Sequence, residues 1–280
     1  MNRLSIGFLS EKDPEESRLD DFTASYLSFK PLGENSQIIV GNFAIQNGAG
    51  LVFAGPFGLS VLSQPRRAVS FSPTRTLPYR TTGENMAFKG GVLMHAFPQF
   101  QIVIMHSNVK RDAHMTEDNQ VSSRPVDGLH VTDGQIAARN TLGEASTGVI
   151  VNFMPKSNFK IGANVLSQRF NHSILPKDTI RQKFAFRGNT NTLYGVNLCF
   201  ITPDQRISIV GETAICEKGA AAVIGLNLNL GRTIFTSGYW FADPGFHNTY
   251  GALPGNRVGD MANQRAPAPS NNGRCQIRHL

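Results

Sequence analysis

A chain of 280 residues has room for one large β domain or two ordinary ones, and 17 % charged residues beside 27 glycines fits a turn-rich all-β protein better than a helical one. No run of about 18 apolar residues occurs, which excludes a transmembrane helix but not strands that cross a membrane with alternating faces. The net charge of +7 is scattered, with small basic clusters only at 65–67 and 181–183, which argues against a dense nucleic-acid patch.

Leu4, Ile6 and Phe8 share one face of a first strand, and an acidic loop over 11–21 follows. Residues 21–30 alternate again, with Ser25, Leu27 and Phe29 opposed by Ala24, Tyr26 and Ser28. A turn at 31–35 leads into a strand over 37–46. That strand runs into a glycine-rich turn (Gly48, Gly50, Gly55, Gly58) and an excursion over 56–84 whose four prolines cannot sit in a central sheet. Alternation resumes over 86–96, where Phe88, Val92 and Met94 oppose Lys89, Gly91 and His95, and a short break leads to a strand over 100–108. Segment 110–146 is polar, and Ile136, Ala137 and Leu142 suggest one short helix over a barrel mouth. A hairpin is predicted over 147–168 around Pro155. Alternation is cleanest from Tyr194 to Phe241; from about 242 the order fades, and 256–280 reads as a disordered tail after a domain spanning 1–255.

Runs of roughly nine to eleven residues match tilted membrane-crossing strands, whereas strands of soluble proteins average about five or six. The expected fold is therefore an all-β, antiparallel, up-and-down transmembrane β-barrel of about ten or more strands, which need not close. A large soluble β-sandwich or a lipocalin-like binding barrel is the alternative. On this reading Leu198, Phe200, Leu226, Leu228 and Leu230 face lipid, and Asn197, Arg206, Glu212, Asn227, Asn229 and Lys89 face the lumen. The excursion is expected to fold back over or into the barrel as a plug carrying Arg66, Arg67, Arg75 and Arg80, with Arg75 or Arg80 paired to Glu84 or Glu212.

Motifs for chemistry are lacking. GAGLVFAG has the wrong spacing for a dinucleotide fingerprint, and there is no P-loop, HExxH or GxSxG. His95 and His106 flank a tight turn and Ser107 follows, but nothing in the sequence orients either histidine as a base, and no third residue completes a metal set. Neither CxxC nor Cys/His ligand spacing occurs among Cys199, Cys216 and Cys275. No catalytic residue, metal or cofactor is expected.

GNFAIQNGAGLVF followed by PFGLS, then LPYRTTGENMAFKGG, IAARNTLGEA, KFAFRGNTN and YWFADPGFHNTYGALPG occur in that order. With these residues the chain resembles the β-barrel portion of helix-hairpin-helix domain-containing outer-membrane proteins, found mainly in the Bacteroidota and Chlorobi lineage. The resemblance covers roughly 1–255. It implies an outer-membrane location, the lipid bilayer as partner, and a channel or uptake component linked to DNA through the helix-hairpin-helix domain. A structural or docking barrel with a plugged lumen is the other functional expectation. The repeats that name the family, a signal peptide and a terminal aromatic strand are not in this sequence, so it reads as a fragment.

Overall fold

The computed structural model describes residues 3–11, 22–56, 72–81, 87–125, 130–231, 233–252 and 276–279. One antiparallel sheet dominates. Its path runs through β1 (Leu4–Glu11), β2 (Phe22–Phe29), β3 (Ser36–Gly48), β5 (Phe88–Ala96), β6 (Phe100–Arg111), β9 (Leu142–Lys156), β10 (Phe159–Ile174), β11 (Gly188–Ile201), β12 (Ile207–Cys216), β13 (Gly219–Asn229), β14 (Thr233–Ala242) and β15 (Gln276–His279). Off this path, β4 (Ser72–Pro78) pairs with β3, while β7 (His114–Met115) and β8 (Val121–Ser123) form a small ladder beside β10. Neighbours on the path are consecutive apart from these short strands, so the connectivity is up-and-down. Among the described residues β1 and β15 do not pair with each other, and the sheet is not closed.

Period-two burial sets the two faces. On β11 the buried residues are Asn191, Leu193, Gly195 and Asn197, and the exposed ones between them are Tyr194 and Val196. The sheet curls around its inner face: residues of β3, β5, β6 and β9 to β13 belong to one apolar cluster, which a flat sheet could not assemble. Strands reach 15, 16 and 14 residues in β9, β10 and β11, longer than the alternation in the sequence suggested.

β3 is bent. It pairs with β2 only as far as Tyr26↔Gly41, after which Ser25 N–H donates to Asn42 Oδ1 and the strand leaves its neighbour. Thr76 pairs with Ile45 yet donates to Gln37 Oε1, eight residues earlier on β3, so the strand has doubled back. From Asn42 to Ile45 every residue is buried, because this part of β3 runs inside the curl. Gly41 makes the bend with φ +104, and a Cβ there would lie 2.2 Å from the Ser25 carbonyl oxygen. Gly41→Ala is expected to cost at least about 1–3 kcal/mol in a urea melt, from strain at a glycine-only conformation plus that contact.

Segment 112–141 departs from the sequence reading in one detail. The short helix α1 (Asp133–Ala138) is present, capped by Thr132 and Gln135, and Ile136 lies on its exposed side. Leu142 is not helical; it opens β9 and packs with Ala113, Val121, Phe170, Ile174 and Phe186. The expected fade of order after Ala242 is also corrected. Phe246, His247, Asn248, Thr249, Tyr250 and Ala252 are all buried, because this segment runs back inside the curl. Of the expected tail, Gln276–His279 pair with β14 and the rest lies outside the described residues.

Candidate functional site

The inside of the curled sheet is filled by the chain itself. The glycine-rich turn after β3 and the 243–252 segment meet there: Ala54 N–H donates to the Tyr250 carbonyl, Ala252 N–H to the Gly50 carbonyl, and Asn248 Nδ2 to the carbonyls of Leu51 and Val52. Phe43, Phe53, Phe88 and Tyr250 form the aromatic centre, with Phe88 stacked 3.9 Å from Tyr250 and 5.5 Å from Phe43. Wall glycines make room for the fill. A Cβ on Gly148 would meet the Phe53 ring at 3.1 Å, and one on Gly195 would meet Val52 Cγ2 at 2.8 Å.

Two polar networks tie the fill to the wall. In the first, Glu212 Oε2 accepts N–H bonds from Ala49 at 2.6 Å and Leu51 at 3.2 Å, so the carboxylate grips the turn by its backbone. Next to it, Thr74 on β4 donates to Asn47 Oδ1 and accepts from Asn152 Nδ2 and from Lys160 Nζ at 2.7 Å. The hydrogen-bonded row Gln101–Asn152–Gly162–Asn197–Glu212 crosses β6, β9, β10, β11 and β12 on the inner face.

The second network lies where 243–252 passes the far ends of β6 and β9. Glu144 Oε1 accepts from Tyr250 at 2.7 Å, Ser146 at 3.0 Å and Gln168 at 3.2 Å, and its Oε2 faces Arg111 at 3.7 Å and Arg124 at 3.9 Å. Arg111 donates to the Tyr250 hydroxyl and to the Ala87 carbonyl. Burial, with the Glu144 carboxylate beside it, pushes the Tyr250 phenol above its ordinary range, so it stays a donor.

The residues singled out in the sequence are divided by this structure. Asn197 and Glu212 are buried neighbours on the inner face. Asn227 is half-buried and accepts from Thr236, while Asn229 is exposed at the strand end. Lys89 is a correction: on β5 it is Phe88, Val92 and Met94 that enter the core, so Lys89 is exposed on the outer face. Arg206 is another. It lies in the turn between β11 and β12, exposed, beside an Asp204 carboxyl held below its usual range by the Thr202 hydroxyl and the Arg206 N–H. Arg75 and Arg80 are exposed and do not meet Glu212, whose grip is on the backbone of 49–51; Arg80 lies 5.3 Å over the Tyr26 ring. Arg66, Arg67 and Glu84, with the apolar side chains of 59–71, lie outside the described residues. Among the described residues the interior is filled by the turn at 48–55, by 243–252 and by β4, the last being part of the expected 56–84 plug.

His95 and His106 do not meet. His95 pairs across the strands with Ile102 and bonds Ser36 at 2.6 Å, whereas His106 pairs with Gly91 and bonds Thr147. Ser107 is on the inner face, opposite in direction to His106, so the pair cannot act as nucleophile and base. Sequence reasoning missed Glu144, Asn152, Lys160 and Asn164. Each sits on the polar phase of its strand, the signal that picked out Asn197 and Glu212. Arg124, Asn248 and Tyr250 belong to irregular segments without such a signal. Comparison with protein-family models, curated proteins and solved structures found no match.

Proposed function

We propose that this chain is a transmembrane β-barrel of the bacterial outer-membrane type, non-enzymatic and shut at rest by its own interior, which serves as a membrane anchor or docking barrel. The observation that carries this reading is the outer face. One hydrogen-bonded row of outward residues runs Leu4, Phe29, Ile38, Leu93, Ile104, Val149, Val165, Tyr194, Ile215 across successive strands from β1 to β12. Val40, Val151, Ile161, Val196, Ile224, Tyr239 and Phe241 extend it, all exposed. A water-soluble sheet would leave this continuous apolar belt in water, whereas lipid covers it.

Two further features support the same reading. The turns at 97–99, 157–158 and 202–206 lie at one end of the sheet; β3, β6 and β10 all end at the other, where their long connections in sequence to β5, β9 and β11 begin beside one tight turn at 217–218, a bias toward the asymmetry of outer-membrane barrels. Outward phenylalanines gather near the short-turn end (Phe29, Phe100, Phe153, Phe159, Phe200), where an aromatic girdle belongs. Past the belt at the other end, β6 turns polar with His106, Asn108 and Lys110, and β10 with Ser167, Arg169 and Asn171. Because lipid tolerates no unpaired strand edge, the reading requires the edges of β1 and β15 to be paired in the membrane.

The filled interior favours a docking barrel over an open channel. The helix-hairpin-helix resemblance extends the proposal to a DNA partner, held by that domain while the barrel fixes it at the outer membrane. Arginine substitution tests the membrane reading. Val196→Arg, within the belt, is expected to cost about 2–4 kcal/mol in vesicles, and Thr190→Arg, beyond the belt on the same face, about 0–1 kcal/mol. Equal and small losses at both sites, measured by urea titration of vesicle-bound protein, would place the belt in water and sink the reading.

A further inference from the structure

The inner polar row carries more hydrogen-bonding capacity than the resting protein uses. Among the described residues, Asn152 Oδ1, Asn47 Nδ2, Glu212 Oε1 and both amide atoms of Asn164 and of Asn197 have no hydrogen-bond partner. All five side chains are nearly fully buried, with Asn197 1 % and Glu212 2 % exposed. Unsatisfied buried amides are expensive and rare, and these are not scattered. Asn152 and Asn197 flank Gly162 and their amides fill the place its side chain would take: a Cβ there would lie 2.2 Å from Asn152 Oδ1 and 2.9 Å from Asn197 Oδ1. Glu212 is the cross-strand neighbour of Asn197, and Asn164 lies over Gly195. The turn covering this strip touches it through backbone N–H groups, those of Ala49 and Leu51 on Glu212.

We infer that the strip Asn152–Asn164–Asn197–Glu212 is a binding track for small solutes bearing amine or amide N–H groups, and that the 48–55 turn occupies it at rest as an internal mimic of such a solute. Glu212 accepts from the turn what it would accept from the solute. The mixed donors and acceptors of the three asparagines suit a peptide-like molecule, which presents both. Asn248 holds the turn in place through the Leu51 and Val52 carbonyls without belonging to the strip. Withdrawal of the turn, together with the 243–252 segment hydrogen-bonded to it, then exposes the strip and turns an occluded barrel into a solute path. This inference rests on the membrane reading above.

The test is swelling of protein-containing liposomes in glycylglycine and, as a size-matched solute without an amine, arabinose. All proteins carry alanine at the three cysteine positions, and insertion is verified first by protection from external protease. Asn248→Ala, which loosens the turn and spares the strip, should raise glycylglycine entry about tenfold over the parent, since two hydrogen bonds to the turn are lost. Arabinose entry should rise much less. Adding Glu212→Ala should keep the path open and erase the preference. A Val52→Cys/Gly195→Cys pair, whose sites adjoin, should abolish entry when oxidised and restore it when reduced. Inserted Asn248→Ala protein as tight as the parent, or flux that persists with the disulfide closed, would overturn the inference and leave the membrane reading standing. Failure to insert at all would remove both.

Discussion

Glu144→Ala is expected to lower the unfolding free energy by about 3–5 kcal/mol, because it removes the buried carboxylate that faces the guanidinium groups of Arg111 and Arg124. Glu144 itself is 0 % exposed and the two arginines 4 % and 3 %, so solvent cannot screen what is left. The separations of 3.7 and 3.9 Å are long for direct ionic hydrogen bonds, and the bonds from Tyr250, Gln168 and Ser146 do much of the positioning. Glu144→Gln retains an oxygen for Tyr250 but removes the charge, and it should recover only a small part of the loss. If Gln restores full stability, the charge is not what matters there. Trp240, the single tryptophan, packs against the core and reports the transition by fluorescence during urea titration.

The second large effect is at Phe88. Its ring is 1 % exposed and contacts rings from both parts of the interior fill: Phe43 and Phe53 near the glycine-rich turn, and Tyr250 from the C-terminal segment. Phe88→Ala should cost about 3–5 kcal/mol, the transfer of a phenyl ring plus the cavity it leaves. Phe100→Ala is the control, since that ring is on the outer face and 45 % exposed, against Phe153 alone. Comparable losses at the two positions would mean that the interior is not close-packed around Phe88.

Much of the wall could be read from alternation. The faces of β11 to β13 follow from Val196 against Asn197 and Ile224 against Gly225, since a residue's face depends only on its phase along the strand. Lys89 shows where phase fails. Alternation shows that Lys89 opposes Phe88 and Val92, but it does not show which set is inside. On β11 the apolar outer set faces away from a polar interior, and on β5 the apolar set is the interior, because the aromatic fill lies against it. The fill itself was hardest to anticipate. The glycines at 48–55 mark a turn in the sequence, but a turn inside a sheet and one outside look alike. The 243–252 segment has no period because it is neither strand nor helix, and the Asn248 amide bonds carbonyls almost two hundred residues away.

That separation has a consequence for the order in which the molecule forms. The hairpins β5–β6, β9–β10, β11–β12 and β13–β14 are local, joined by a few residues each, and can zip as the chain emerges. The contacts between Asn248 and Leu51 span 197 residues, and they depend on a segment that follows β14. The wall can therefore be largely assembled while its centre still holds water, and drying comes last, when 243–252 arrives and Tyr250 reaches Phe88 and Glu144. Until then the far ends of β6 and β9 around Glu144 stay wet, while the row from Gln101 to Glu212 is already met by the 48–55 turn and Thr74. A nascent chain stalled before residue 243 would keep that end of its interior wet.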